Sequence, residues 1–223
     1  MEFVVPNVGV KTLVNLTSSD MYKIFMFSEP YTCRSVNYWQ SKFDNVNIDF
    51  NKWFACMFMN TMIPRKSVDF NWKIFHGQVN TENKLKAMHF STGVCVLCKC
   101  QEENLEHLLI DCEQVYKAWQ EVEYTLRYIA DVTETYFEFT RFNMMVGYLK
   151  SGYQYEIMNV ILSITRWIIW KRRCIEKYEK SKISLYEMIS WIKREIYGHI
   201  DILLLTDRVK NRDILYGIIA NLN

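Results

Sequence analysis

Glycine and proline are scarce in this 223-residue chain, with seven and three copies. A fold of many short strands joined by tight turns needs more of both, since Gly supplies positive φ and Pro fixes turn geometry. Their shortage points to long helices. Neither charge is in excess: 27 Lys and Arg face 25 Asp and Glu, a formal +2. Overall composition therefore carries no nucleic-acid signature, and any such signature must be local. The chain does not open on a basic stretch followed by a long apolar run, so no secretory signal is read. Its most apolar stretch, 157–170, contains Asn159, Ser163 and Arg166 and is shorter than the roughly 20 residues of a membrane span. It reads as a core helix, and no membrane partner is expected.

Catalytic signatures are missing too. There is no Phe/Tyr-x-Asp-Asp pair to hold polymerase metal ions, no endonuclease acid cluster and no Gly-rich phosphate cradle. His-Glu-x-x-His and Gly-x-Ser-x-Gly are also absent. No Cys–His–acid arrangement supports a cysteine nucleophile. The expectation is that the chain is not an enzyme by itself.

What is present is apolar and periodic. Hydrophobic residues make up 50% and aromatics 15%, which excludes disorder. A short strand or extended lead-in is expected over 10–16, and helices over 19–28 and 35–43. Phe50, Trp53, Phe54, Met57, Phe58 and Met62 recur at helical spacing over 49–62. Pro64 ends that helix. The next runs over 67–76, with Gly77 suited to its C-terminal cap. Thr81 is placed to cap another, reaching about 89. Further helices are expected over 104–111, 113–129, 155–179, 183–205 and 212–220, with a packed connector over 131–153. The fold class is mainly α: a helical domain with an inserted small Cys-Cys-His-Cys zinc module. Three parts are expected: a mostly helical N-terminal segment (1–47), the zinc-binding domain (48–130) and a C-terminal helical region (131–223).

The module rests on Cys95, Cys98, His107 and Cys112, spaced Cys-x2-Cys-x8-His-x4-Cys. Three thiols and one imidazole are the ligand set of a closed, structural zinc site. Four protein donors leave no position for water, so one structural Zn2+ is expected. Cys100 could replace Cys98, though the two-residue gap to Cys95 favours Cys98. Clustered thiols without a secretory signal read as metal ligands in a reducing, intracellular compartment, nucleus or cytoplasm. Cys33, Cys56 and Cys174 read as isolated buried thiols.

The surroundings carry a resemblance. Asp69-Phe70-Asn71-Trp72-Lys73-Ile74-Phe75-His76-Gly77 precedes the cysteines, followed by Thr81-Glu82-Asn83-Lys84-Leu85-Lys86. Glu106-His107-Leu108-Leu109, Asp111-Cys112 and Trp119 come after the first pair. In order and content, about residues 50–125 resemble the zinc-binding region at the C-terminal end of LINE-type (non-LTR) retrotransposon reverse transcriptases. The resemblance implies that the four residues bind zinc, and that the region once helped hold element RNA or target DNA. The chain departs from the family at Lys99, where many members have Gly directly after the second Cys.

Basic residues supply the remaining signal. Segment 164–194 holds nine Lys and Arg against three Glu, a local +6. Arg166, Lys171, Arg172 and Arg173 are its candidate phosphate contacts. The competing reading is a solvated helix face with a Glu176–Lys180 pair. Lys73, Lys84, Lys86 and Lys99 form a second candidate patch beside the module. Trp72 and Trp119 could stack on unpaired bases, but their helical stripes favour core packing. Together these residues lead to a non-catalytic, zinc-stabilised nucleic-acid-binding protein, with RNA preferred to DNA as partner. The alternative is a protein-interaction scaffold on the same helical fold, whose partner could be a polymerase-containing protein.

Overall fold

The computed structural model describes residues 2–5, 9–12, 17, 34–43, 47–206 and 212–222. The chain divides into two compact units, Met1–Val46 and Asn47–Asn223. Within the first, strands β1 (Glu2–Val5) and β2 (Gly9–Thr12) pair antiparallel, with Glu2 opposite Thr12 and Val5 opposite Gly9. Helix α1 (Arg34–Lys42) buries Trp39, which stacks on Phe43. The helix expected over 19–28 lies outside the described residues.

The second unit is helical. Helix α2 (Phe50–Trp53) starts at Asp49, whose carboxylate accepts from Asn51 N–H at 2.8 Å, and continues as a π-helical turn, Phe54–Phe58. Pro64, with its fixed φ, opens α3 (Arg65–Phe75). Gly77 follows at φ +61°, the left-handed cap that its sequence position predicts. Helix α4 (Glu82–Ala87) leads into the cysteine segment, which closes with a π-helical turn, His107–Asp111. Then come α5 (Glu113–Val132), α6 (Arg141–Val146), α7 (Tyr153–Cys174) with a π-helical extension Ile175–Glu179, α8 (Leu185–Leu204) and α9 (Arg212–Leu222). Thr140 and Ser184 form capping boxes with Asn143 and Glu187, each satisfying orphan donors at a helix start. The expected boundary near residue 130 falls inside this one compact unit.

Helix α7 is the axis. It is apolar nearly all round, and α3, α5, α8 and the His107–Asp111 turn all pack on it. Ile157, Met158, Val160, Ile161, Leu162, Ile164, Ile168 and Ile169 are buried. Each such side chain contributes roughly 1.5–3 kcal/mol of transfer free energy. Stretch 157–170 is thus core, and no helix among the described residues is long and apolar enough to cross a membrane.

Two polar side chains in the middle of α7, Asn159 and Arg166, are enclosed and hydrogen-bonded. Asn159 accepts from Tyr148 N–H at 2.8 Å and donates to Tyr148 O at 2.9 Å, so one side chain fixes the irregular chain after α6. Arg166, at 0% exposure, donates to Asn71 Oδ1, Met144 O and Ser163 Oγ at 3.2, 2.9 and 3.3 Å. Burial pushes its guanidinium down to about 9. At the end of α8, His199 Nε2 donates to Met62 O at 2.6 Å and ties α8 to the turn before α3.

Burial lowers His199 and also His76 from the ordinary imidazole range. A folded value below the unfolded one gives stability that is present above about pH 6.5 and is lost as pH falls through the folded value. Urea stability is therefore expected to decline on acidification below about pH 6.5. His199→Gln, which cannot take up that proton, should flatten the decline when both proteins are zinc-loaded. Parallel pH profiles for the two would refute the assignment.

Candidate metal centre

The metal ligands come from two pieces of backbone. Cys95 and Cys98 lie on a tight loop clamped at its base by Cys95 N–H to Gln101 O (2.7 Å) and by an isolated bridge between Val94 and Glu102. Within the loop Lys99 N–H returns to Cys95 O at 3.1 Å. His107 and Cys112 bracket the π-helical turn, which Asn104 starts by accepting from His107 N–H at 2.7 Å. An i→i+5 bond, Cys112 N–H to His107 O at 2.8 Å, closes it. The sequence expectation of an ordinary helical turn is corrected here. The wider turn brings Cys112, five residues after His107, back beside it, so the thiol meets the imidazole side.

All four donor atoms lie within 4.8 Å of one another. Cys95 Sγ is 4.0 Å from Cys112 Sγ, and Cys98 Sγ is 3.4 Å from His107 Nε2. Sulfurs held tetrahedrally at the usual zinc distance stand about 3.8 Å apart, close to the 4.0 Å between Cys95 and Cys112, so the set is suited to zinc. Cys95 and Cys112 are fully buried and His107 nearly so. The Cys112 thiol donates to Cys95, and with the N–H groups of Cys98 and Leu97 it holds Cys95 down at about 4, against the opposing effect of burial. Cys112 is pushed up, first by its bond to Cys95 and then by burial. A bound dication would supply the charge that allows both to be thiolates.

Cys100 is not part of the set. It is exposed, and its thiol donates to Cys98 O at 3.0 Å. The choice between Cys98 and Cys100 therefore falls to Cys98. Lys99, where many members of the resembled family carry Gly, has a left-handed backbone at φ +60°. A left-handed L-residue there carries a strain of roughly 1–2 kcal/mol.

Two acids that the sequence reading passed over complete the centre. Glu103 has 0% exposure. Its Oε2 accepts from Val96 N–H, between the first two ligands, at 3.0 Å; its Oε1 accepts from Glu82 N–H at 3.0 Å. Glu103 thus caps α4, the role expected of Thr81, whose side chain makes no cap bond. Glu82 bonds Arg173, Lys177 and Ser91. Burial alone would raise Glu82, but hydrogen bonds from Lys177 and Ser91 and the charges of Arg173 and Lys177 leave it below its ordinary value. Glu103 is raised, burial outweighing Arg173. Neither acid has a local sequence mark, since Arg173 lies 70 residues beyond Glu103.

The candidate nucleic-acid residues divide sharply. Lys73, Lys86 and Lys99 are exposed, though Lys86 pairs with Glu102 at 2.8 Å. Lys84 is half-buried and donates to Gly77 O at 2.6 Å. Lys171 is exposed and stands over the Trp191 ring at 4.6 Å. Arg166, Arg172 and Arg173 are a correction: all three are internal. Arg172 bonds Glu176 and Gln114 O at 2.8 and 2.9 Å, and Arg173 bonds Glu82 and Glu103. Their guanidinium groups are buried and bonded to protein oxygens, Arg173 through Nε and Nη2, and cannot reach a phosphate. Glu176 therefore serves Arg172, and the expected partner Lys180 leaves the helix at φ +55°. Trp119 is core, its Nε1 donating to Leu109 O at 2.6 Å, while Trp72 packs among Trp53, Phe58 and His76.

These positions set two expectations. Cys98→Ser should lower the zinc content of purified protein, whereas Cys100→Ser should leave it unchanged; elemental analysis giving the opposite order would reject the ligand set. Lys99→Gly should raise stability by about 1 kcal/mol in zinc-loaded protein, because the left-handed turn costs glycine little. A lower melting temperature for that variant would contradict the strain at residue 99.

No curated protein and no solved structure gives a significant match to the chain. One family does: residues 17–119, which include all four ligands, match the family described as zinc-binding in reverse transcriptase. Over those residues the chain is thus similar to the zinc-binding region found in reverse transcriptases.

Proposed function

We propose that this chain is a non-catalytic nucleic-acid-binding protein related to the C-terminal part of a LINE-type reverse transcriptase, with RNA as its preferred ligand. One structural zinc ion shapes the segment between Gly93 and Cys112. The observation that carries the reading is the convergence of three thiols and one imidazole within a region matched to reverse-transcriptase zinc binding. Four protein donors close the coordination sphere, so bound zinc would hold loop and helix together and supply no open position for hydrolysis. Lys73, Lys84, Lys86, Lys99 and Lys171 remain as the candidate phosphate contacts. A reducing intracellular compartment, nuclear or cytoplasmic, suits thiolate ligands.

The scaffold reading gains from two observations. Three basic side chains of the C-terminal patch are internal, and Phe90 on the module is 78% exposed, with Met88 beside it in sequence also exposed. Under that reading the partner is a protein, such as one containing the polymerase.

Titration of the purified chain with single- and double-stranded RNA and DNA across a salt series separates the two. Nucleic-acid binding predicts affinity that falls steeply with salt, and a log–log slope about 0.7 shallower for each single-strand phosphate contact removed. Lys73→Glu combined with Lys171→Glu should weaken binding and flatten that slope. Salt-independent binding, or none, would reject the nucleic-acid reading.

A further inference from the structure

We propose that Glu103 and Arg173 are positioning residues of the metal centre, and that through them zinc binding fixes the C-terminal end of α7. This rests on the zinc reading above and extends it to residues outside the ligand set. The path is short and continuous. Val96 N–H, one residue after the first ligand, donates to Glu103 Oε2 at 3.0 Å. Glu103 Oε1 receives Arg173 Nε at 3.1 Å and Nη2 at 3.0 Å. Arg173 is the penultimate residue of α7 and is fully buried. Its other carboxylate partner, Glu82, also binds Lys177 in the π-helical extension of that helix. The main chain of Glu103 is held equally firmly: its N–H donates to Gly93 O at 2.9 Å, and its carbonyl accepts from Asn83 N–H at 3.1 Å.

The direction of the argument follows from charge and geometry. Glu103 is enclosed, and its carboxylate has no water to fall back on. It is held there by Arg173, by Glu82 N–H and by the Val96 N–H that the Cys95–Cys98 loop offers. A metal ion that closes the loop around Cys95 and Cys98 sets the direction of that N–H. Reciprocally, a carboxylate locked by Arg173 prearranges the loop for the metal. Linkage makes these one coupling, so whatever zinc adds to the order of α7's end, Arg173 adds to zinc affinity. Groups that orient metal ligands in this way typically change metal affinity about 10–100-fold when altered.

The experiment is zinc competition between the full chain and a chromophoric chelator. Glu103→Gln keeps shape and burial but removes the charge that Arg173 faces. It should weaken zinc binding about 10–100-fold with helical circular dichroism retained. Ile200→Ala, a core truncation in α8 outside the cluster, serves as control for general loosening and should leave zinc affinity within about threefold. Equal loss in both variants, or no loss in Glu103→Gln, would overturn the proposal. Hydrogen exchange on the unaltered chain gives an answer even if Glu103→Gln does not fold. Chelator should speed exchange at 170–179 more than at 157–165, and an unchanged pattern would overturn the proposal. A purified chain holding no zinc would overturn the metal reading and this inference together, whereas tight zinc with full affinity in Glu103→Gln would overturn this inference alone.

Discussion

The Arg173 guanidinium is the constraint around which the second unit is organised. It reaches 0% exposure while facing two carboxylates, Glu82 and Glu103, with Lys177 beside them. Two cations and two anions balance, which is the condition for keeping charge inside a protein. Without balance each enclosed ion costs several kcal/mol. Each acid accepts from neutral donors as well as facing charge. Glu103 caps α4 and grips the cysteine loop, while Glu82 receives the Ser91 hydroxyl at the loop's entrance. One side chain on α7 therefore fixes α4, the loop and the helix end together. Apolar residues could fill the same space and be at least as stable. They could not set the direction of four separate hydrogen-bond donors.

The same principle runs through the middle of α7. Asn71, Ser163 and Arg166 form a polar line between α3 and α7 that ends on Met144 O. Apolar packing around α7 supplies most of the free energy, but apolar contacts are non-directional and tolerate sliding. The polar line and the Asn159–Tyr148 pair fix the axial register of that packing. Gly147 belongs to the same arrangement. It sits at φ +95°, and a Cβ there would lie 2.6 Å from Met57 Sδ and 2.9 Å from Asn159 Oδ1.

Helical spacing over 113–129, 155–179 and 183–205 made the long helices legible, because each carries a sustained apolar stripe. The ligand set was legible for a different reason: cysteine is rare, and four donors at such spacing need few other assumptions. Arginine burial was not legible. Arg172 and Arg173 follow Trp170 and Lys171 at the end of an apolar helix, where a basic cluster normally faces water. For Arg173 the acids brought from α4 and the module, 91 and 70 residues away, reverse that expectation, and for Arg172 the carbonyl of Gln114 does so together with Glu176. Glu103 was hidden for the same reason, sitting beside Glu102 in what reads as a plain acidic pair. The helix start at Thr81 was placed correctly, but its cap comes from a residue 21 positions beyond the donor it serves. The π-helical turns have no compositional mark, since the same residues favour either ladder.

The π-helical turn His107–Asp111 has a consequence for how such a chain can change over time. A regular α-helix would return to the imidazole side at the fourth residue; here the return comes at the fifth, Cys112, through the bond to His107 O. Deleting any one residue between them would repair the backbone ladder and improve its local geometry. It would also turn α5 by about a quarter turn against its packing on α7, while the last thiol, now four residues after His107, would stay on the imidazole side. Selection for a better helix and selection for the seating of α5 thus oppose each other at this point. The His-x4-Cys spacing then reports on how α5 is seated as much as on the ligands themselves.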